Sequence, residues 1–333
     1  MNKVLLSIAV ISSLLVVYEV VQQLNKHDSV SLAQSAFSSW KNTHGKLYGS
    51  KSEESMRFMN FQNNLKMVEE HNKSGASWSM AMNKFADMSQ VEFKQYLGFK
   101  ADLKKERNDV YLDTSSVPES WDWREHGAVS NVKDQGMCGS CWAFSAVGGM
   151  EGAYFLKTGK LVSLSTQQLV SCDKGGQDQG CNGGLPDPAF DYAQKNGMET
   201  EKTYPYRGLF SFGCKYNKSQ TLKDFNLVKH VDVPEKDNEQ LKAAVAQQPV
   251  SIGIDAGPIQ MYSSGIFDGR CGTQLDHGVV VVAYGNEGKD YWTIKNSWGA
   301  SWGENGYFRV KRDSGVKTAV CGMNLMASYP VMG

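Results

Sequence analysis

The sequence predicts an α+β chain: a helical N-terminal segment, then a two-part body, one part mainly helical and the other a barrel-like set of strands. Three observations carry this. Residues 28 to about 100 repeat at helical spacing and hold no cysteine and only three glycines before Gly98. All seven cysteines and all eight prolines lie beyond Val117, the mark of a separately folded, bridge-bearing body with many loops. Within that body a helix-compatible run follows Cys141, and the strand-like runs Val250–Ile254, Val279–Tyr284, Tyr291–Lys295 and Tyr307–Lys311 fill the second half.

From the N-terminus, Lys3 precedes the apolar stretch Val4–Val17, which has the length of a signal-peptide core and is short for a membrane span. Residues 1–24 therefore read as a signal peptide cut between 17 and 27, with an uncleaved anchor as the alternative. No second long apolar run follows, so no stable membrane association is expected after processing, and the secretory route permits disulfides. In the segment 28–100, Glu53, Arg57, Phe61, Asn64, Val68 and Asn72 recur at intervals of four, four, three, four and four, one stripe along a helix. Phe58, Phe61, Leu65 and Val68 add an apolar seam on a similar face. Residues 101–116 are charged and then polar and read as an exposed processing linker. The body, 117–333, divides into a mainly helical part at about 126–230 and a mainly β part at about 231–328. With 35 basic and 35 acidic residues the net charge is zero, so no field exists to displace counterions from phosphates, and nucleic acid is excluded as a partner.

Seven cysteines cannot all pair within one chain. Cys138 and Cys141 form C-x-x-C, which has three readings. A redox pair needs a preceding strand, and Gly127–Asp134 offers a weak one. A zinc site needs four ligands, and no second C-x-x-C or H-x-H pair follows. The third reading makes Cys141 a catalytic thiol opening a helix, where the helix dipole favours thiolate, with Cys138 a structural partner elsewhere.

The string Cys138-Gly-Ser-Cys-Trp142, with Leu275-Asp-His-Gly278 about 136 residues after Cys141 and Asn296-Ser-Trp-Gly299 about 155 after it, resembles the papain family of cysteine proteases, in its cathepsin L-like branch. The 53–72 stripe resembles the helical motif of that family's inhibitory propeptides, with Val68 where isoleucine is usual. Asn83, Phe85 and Asp87 resemble the element that follows it, with Ala81 in place of the usual glycine. The resemblance implies a papain-like two-domain fold and an endopeptidase made as a zymogen, whose propeptide covers the cleft until it is cut away between about Asp109 and Val117.

The resemblance also implies roles. Cys141 would be the nucleophile and His277 the imidazolium that stabilises its thiolate and protonates the leaving amine. Asn296 would orient His277, and Gln135 would donate to the oxyanion beside the N–H of Cys141. Trp298 would shield the His277–Asn296 bond and Trp302 line the leaving-group side; both could instead be core aromatics. Gly183 and Gly184 would pair with substrate backbone. Leu185, Pro186, Gly253, Leu275, Gly278 and Met326 would form an apolar second specificity pocket with no acid at its base, favouring a hydrophobic P2 side chain. The implied bridges are Cys138–Cys181, Cys172–Cys214 and Cys271–Cys321. Of two sequons, Asn72 lies in the propeptide motif and is expected to be structural, and Asn217 is the glycosylation candidate. No metal or organic cofactor is implied. Expected partners are protein and peptide substrates, the protein's own propeptide and cystatin-type inhibitors, on a monomer of the secretory pathway bound for lysosome, vacuole or extracellular space.

Three other readings stand beside this one: an exopeptidase of the same family, a catalytically dead binding homologue, and a redox or metal protein. The interval from Cys181 to Cys214 has no histidine and no long insertion of the kind that restricts an exopeptidase cleft, and both Cys141 and His277 are present.

Overall fold

The computed structural model describes residues 30–102, 106–313 and 315–333. The signal-peptide reading of residues 1–24 lies outside the described residues, as do 103–105 of the linker. The described residues form two compact units, one of residues 30–67 with 86–88, the other of the described residues in 68–85 and 89–333.

In the first unit, α1 (30–43) and the N-terminal part of α2 (Lys51–Asn72) enclose an aromatic core. Phe37 meets Trp40, Phe58 and Phe61 with ring centroids 5.2–6.0 Å apart, and Phe37 and Phe61 are buried. The polar members of the stripe close the unit by capturing backbone. Asn64 Nδ2 donates to the carbonyls of Ala86 and Met88, both at 2.9 Å, and Arg57, Asn60, Lys46 and Tyr48 converge on Asp87. Glu53 accepts from the Gly49 N–H and lies 3.8 Å from Arg57.

The second unit starts with the end of α2, and residues 73–100 are not continuously helical as the sequence spacing suggests. Trp78–Met80 forms β1, followed by the short helix α3 (Gln90–Phe93), whose Ser89 and Glu92 make a capping box. Asn72 of the stripe donates to the Met80 carbonyl and accepts from its N–H, so this sequon asparagine serves structure. The body then runs β2 (Trp121–Asp122), α4 (Cys141–Thr158), α5 (Thr166–Cys172), α6 (Pro186–Asn196), β3 (Leu227–Asp232), α7 (Asn238–Gln247), β4 (Val250–Ile254), β5 (Tyr262–Phe267), β6 (His277–Asn286), β7 (Asp290–Lys295), β8 (Tyr307–Lys311) and β9 (Ala327–Met332). The strands follow the order β1-β5-β8-β7-β6-β4-β9-β3, with β2 beside β6; the path is open, and its ends, β1 and β3, do not pair.

Two features of this body place the site. First, α4 lies directly on the sheet. Ser145 Oγ donates to the Val279 carbonyl at 2.7 Å, and Ser251 Oγ donates to the Ser145 carbonyl at 2.9 Å. Gly148 permits this approach, since a Cβ there would meet Val280 Cγ2 at 2.8 Å. The other side of α4 buries Trp142, Ala146 and Met150 against Leu169, Phe190 and Met198. Second, β6 and β7 are antiparallel neighbours, so the start of β6 and the residues just after β7 share one end of the sheet. That end carries His277 and Asn296 to the first turn of α4.

Candidate active site

Cys141 is the first residue of α4 and, among the described residues, which include all seven cysteines, the one outside a bridge. The others join as Cys138–Cys181, Cys172–Cys214 and Cys271–Cys321. The N-cap Ser140 makes no side-chain cap bond, and the first turn carries no acid, so helix-start N–H groups are left facing the thiol. The Gly98 N–H lies 3.3 Å from Sγ, and the N–H groups of Trp142 and Gly278 also point at it.

His277 opens β6. Its Nε2 lies 2.8 Å from Asn296 Oδ1, which also accepts from the Ser297 N–H at 2.8 Å. An amide oxygen can only accept, so Nε2 carries the ring proton and Nδ1 is left buried without a partner. The Trp298 ring stacks on the imidazole with centroids 4.5 Å apart, which excludes water from the His277–Asn296 bond. Gln135 is fixed at both ends. Its N–H donates to the Ser297 carbonyl, its Oε1 accepts from Ser297 Oγ at 2.7 Å, and its Nε2 donates to the carbonyls of Cys138 and Tyr96.

The segment Tyr96–Lys100 overlies all of these groups. The Tyr96 carbonyl occupies the Gln135 amide at 2.8 Å. Gly184 donates to the Gly98 carbonyl at 2.9 Å and accepts from the Lys100 N–H at 3.1 Å, a parallel pairing centred on Phe99. The Phe99 ring is buried with Cys141, Leu185, Leu275 and Leu325, with Met326 packed alongside. Gly253 and Gly278 form the floor beneath it: a Cβ on Gly253 would meet the ring at 2.5 Å, and one on Gly278 at 3.2 Å. Pro186 and Met326 line a small cavity beside the same ring. The structure thus gathers Leu185, Pro186, Gly253, Leu275, Gly278 and Met326 around one aromatic side chain.

Covering changes the charges. Burial pushes the Cys141 thiol up to about 11, against the opposing pull of the N–H groups of Gly278, Gly98 and Trp142. Burial pushes His277 down to about 4, against its bond to Asn296. The covered pair is therefore a neutral thiol beside a neutral ring at pH 7. Because Cys141 is fully buried, a thiol reagent reaches it only when the cover opens, so labelling of the full chain reports opening.

The profile of the papain family cysteine proteases matches residues 117–331, and that of the cathepsin propeptide inhibitor domain matches residues 37–93. The chain belongs to the papain family. It is 47% identical to cysteine proteinase RD21A of Arabidopsis thaliana over 89% of this chain and 66% of that protein. It is 44% identical to cysteine protease XCP2 of Arabidopsis thaliana over 93% of this chain and 88% of that protein. Among solved structures, a recombinant stem bromelain precursor superposes with a TM-score of 0.83 at 36% identity, covering 90% of this chain and 99% of that one. The match to the propeptide inhibitor domain ends three residues before Tyr96, where the segment over Gln135, Cys141 and Gly184 begins.

Sequence reasoning missed Tyr96, Gly98, Phe99, Ser297 and Leu325. One signal was available: Gly98 stands alone in a glycine-poor stretch, and a Cβ there would lie 1.9 Å from the Gly139 carbonyl oxygen. In the covered state the Trp302 ring is fully buried against Trp298, Tyr262 and Phe308, and its Nε1 donates to the Gln260 carbonyl.

Proposed function

We propose that this papain-family chain is the zymogen of a cysteine endopeptidase. In it Cys141 attacks the peptide carbonyl to form a thioester, His277 carries the proton to the leaving amine, and water then hydrolyses the thioester. The observation that carries this is the unbridged Cys141 at the start of α4, beside a β6 histidine held by Asn296 and Trp298. Gln135, whose amide already holds a carbonyl oxygen in the covered state, is the oxyanion donor together with the Cys141 N–H. Latency follows from geometry as well as cover. The propeptide presents the Gly98 N–H, a donor, to the sulfur at 3.3 Å.

A substrate in the cleft would use the same N–H and carbonyl of Gly184 that Gly98 and Lys100 now occupy, with Gly183 turning the loop. Phe99 in the pocket of Leu185, Leu275 and Met326 supports a hydrophobic P2 preference. The test is hydrolysis of fluorogenic peptides by the acid-matured protein: Phe or Leu at P2 is expected to exceed Arg by at least about 10²-fold in kcat/KM. Met326→Glu is expected to raise P2-Arg turnover at least about tenfold by placing a carboxylate at the pocket base. An unchanged ranking in that variant removes Met326 from the pocket.

The remaining assignments belong to the same reading. Residues 1–24 act as a signal peptide, 28–100 as the propeptide, 101–116 as the processing linker, and 117–333 as a monomeric enzyme of the secretory pathway, vacuolar, lysosomal or extracellular, open to cystatin-type inhibitors. Among the described residues no helix is long and apolar enough to cross a membrane. Asn217 is exposed at a loop turn, where its Oδ1 caps the Ser219 N–H, which supports glycosylation there.

A further inference from the structure

We propose that Asp178 is a positioning residue for the substrate-binding segment Gly183–Leu185, held in place by a proton shared with Asp173, so that peptide binding weakens as that proton leaves. This rests on the reading that Gly184 pairs with substrate backbone.

Asp173 caps the C-terminus of α5 and Asp178 lies in the loop that leads to Cys181; their exposures are 4% and 2%. Asp178 Oδ1 accepts from the Leu185 N–H at 2.7 Å, and Asp173 Oδ1 accepts from the Gly175 N–H. The two Oδ2 atoms are buried, and no N–H or O–H of another group reaches them. Each carboxyl thus keeps one buried oxygen without a donor and feels the other as an interacting neighbour, and one proton held between the two oxygens would satisfy both. Two ionised carboxylates in this space would repel with no solvent to screen them. The consequence reaches the cleft because Gly184 is wedged between this carboxyl and the core. A Cβ there would lie 2.3 Å from Asp178 Oδ1 and 2.8 Å from the Trp142 ring. Trp142 Nε1 in turn donates to the Gly180 carbonyl of the same loop. If Asp178 moves, the Gly184 N–H and carbonyl move with it.

The charged surroundings make the proton hard to lose. Asp187 on α6 adds negative potential at Asp178, and Asp191 on α6 adds it at Asp173; Lys174 opposes it at Asp173. On the propeptide side, Lys100 bonds Gln179 and Asp102 bonds Gln177, and both leave on maturation. Burial, followed by Asp173 and Asp187, pushes the Asp178 carboxyl up to about 9. An acid raised in this way holds one proton more in the ordered loop than in a loosened one between its ordinary value and that raised one. Raising pH through that window therefore favours the loosened loop.

The experiment measures kcat and KM of the acid-matured protein on a peptide amide with hydrophobic P2, from pH 5 to pH 9. Wild-type KM is expected to rise about tenfold toward pH 9, as one proton is lost. Asp178→Asn supplies a permanent donor to Asp173 and keeps the acceptor for Leu185, so its KM is expected to change less than about twofold over the same range. A flat wild-type KM, or an equal rise in the variant, overturns the proposal. Should that variant fail to mature, Asp173→Asn places the permanent donor on the other side and carries the same two outcomes. A peptide N-methylated at the nitrogen facing Gly184 separates the two layers. If methylation leaves KM unchanged, the pairing at Gly184 is wrong. Hydrogen exchange at the Leu185 amide then decides the proton pair: protection lost toward pH 9 in wild type and kept in Asp178→Asn supports it, and equal loss in both overturns it.

Discussion

Cys141→Ala in the matured protein is expected to lower kcat on peptide amides by at least about 10⁴-fold, and His277→Ala by a similar factor. The two losses should not multiply. In the proposed mechanism the sulfur acts only as an anion beside a protonated ring, and the ring acts only on that sulfur, so the double variant is expected to match either single one. Steady-state kinetics on one fluorogenic peptide, with folding checked by circular dichroism, measures this. Additive losses would mean that His277 acts through some group other than Cys141. Asn296→Ala should cost less. Trp298 still stacks on the ring when the amide is gone, so orientation is weakened rather than lost. A loss as large as that of His277→Ala would show that the hydrogen bond, and not the stacking, holds the imidazole.

The convergence of the candidate site residues was the most legible part of the sequence because they sit in short motifs whose order and spacing carry the information. Cys141, His277 and Asn296 mark the start of a helix, the start of a strand and the end of a strand, and the antiparallel neighbours β6 and β7 bring the last two together. Strands rich in β-branched residues, such as β4 and the first half of β6, were legible for the same local reason. β1 was not. Trp78–Met80 is three residues long, and it is a strand because β5, some 185 residues away, offers it an edge. The first-unit helices could be read from periodicity, but the role of Asp87 as the acceptor for Lys46, Arg57, Asn60 and Tyr48 could not, since it depends on a loop folding back. Phe99 and Asp178 were hidden in the same way. An extended segment has no periodicity to expose which side chain faces a pocket, and a proton shared by two carboxyls five positions apart is a product of burial, not of spacing.

The contact with the largest expected effect on latency is Phe99. Phe99→Ala is expected to speed labelling of Cys141 in the full chain by about 10²-fold at neutral pH. Truncating a buried phenylalanine costs about 3–5 kcal/mol where the cavity stays empty, and part of that is recovered here because water can enter as the pocket opens. At about 1.4 kcal/mol per tenfold, two decades of occupancy is the expected size. Phe99→Leu keeps most of the apolar surface and should change the rate by less than about tenfold. Neither substitution touches the backbone pairing of Gly98 and Lys100 with Gly184, so the comparison isolates the ring. If Phe99→Ala labels no faster than the native chain, the cover is held elsewhere. The place to look is then the edge-to-face contacts of Phe85 and Phe93 on Trp298, with centroids 5.4 and 5.2 Å apart, which clamp the same propeptide over the far side of His277. Substituting Phe93 alone should then produce the acceleration that Phe99 did not.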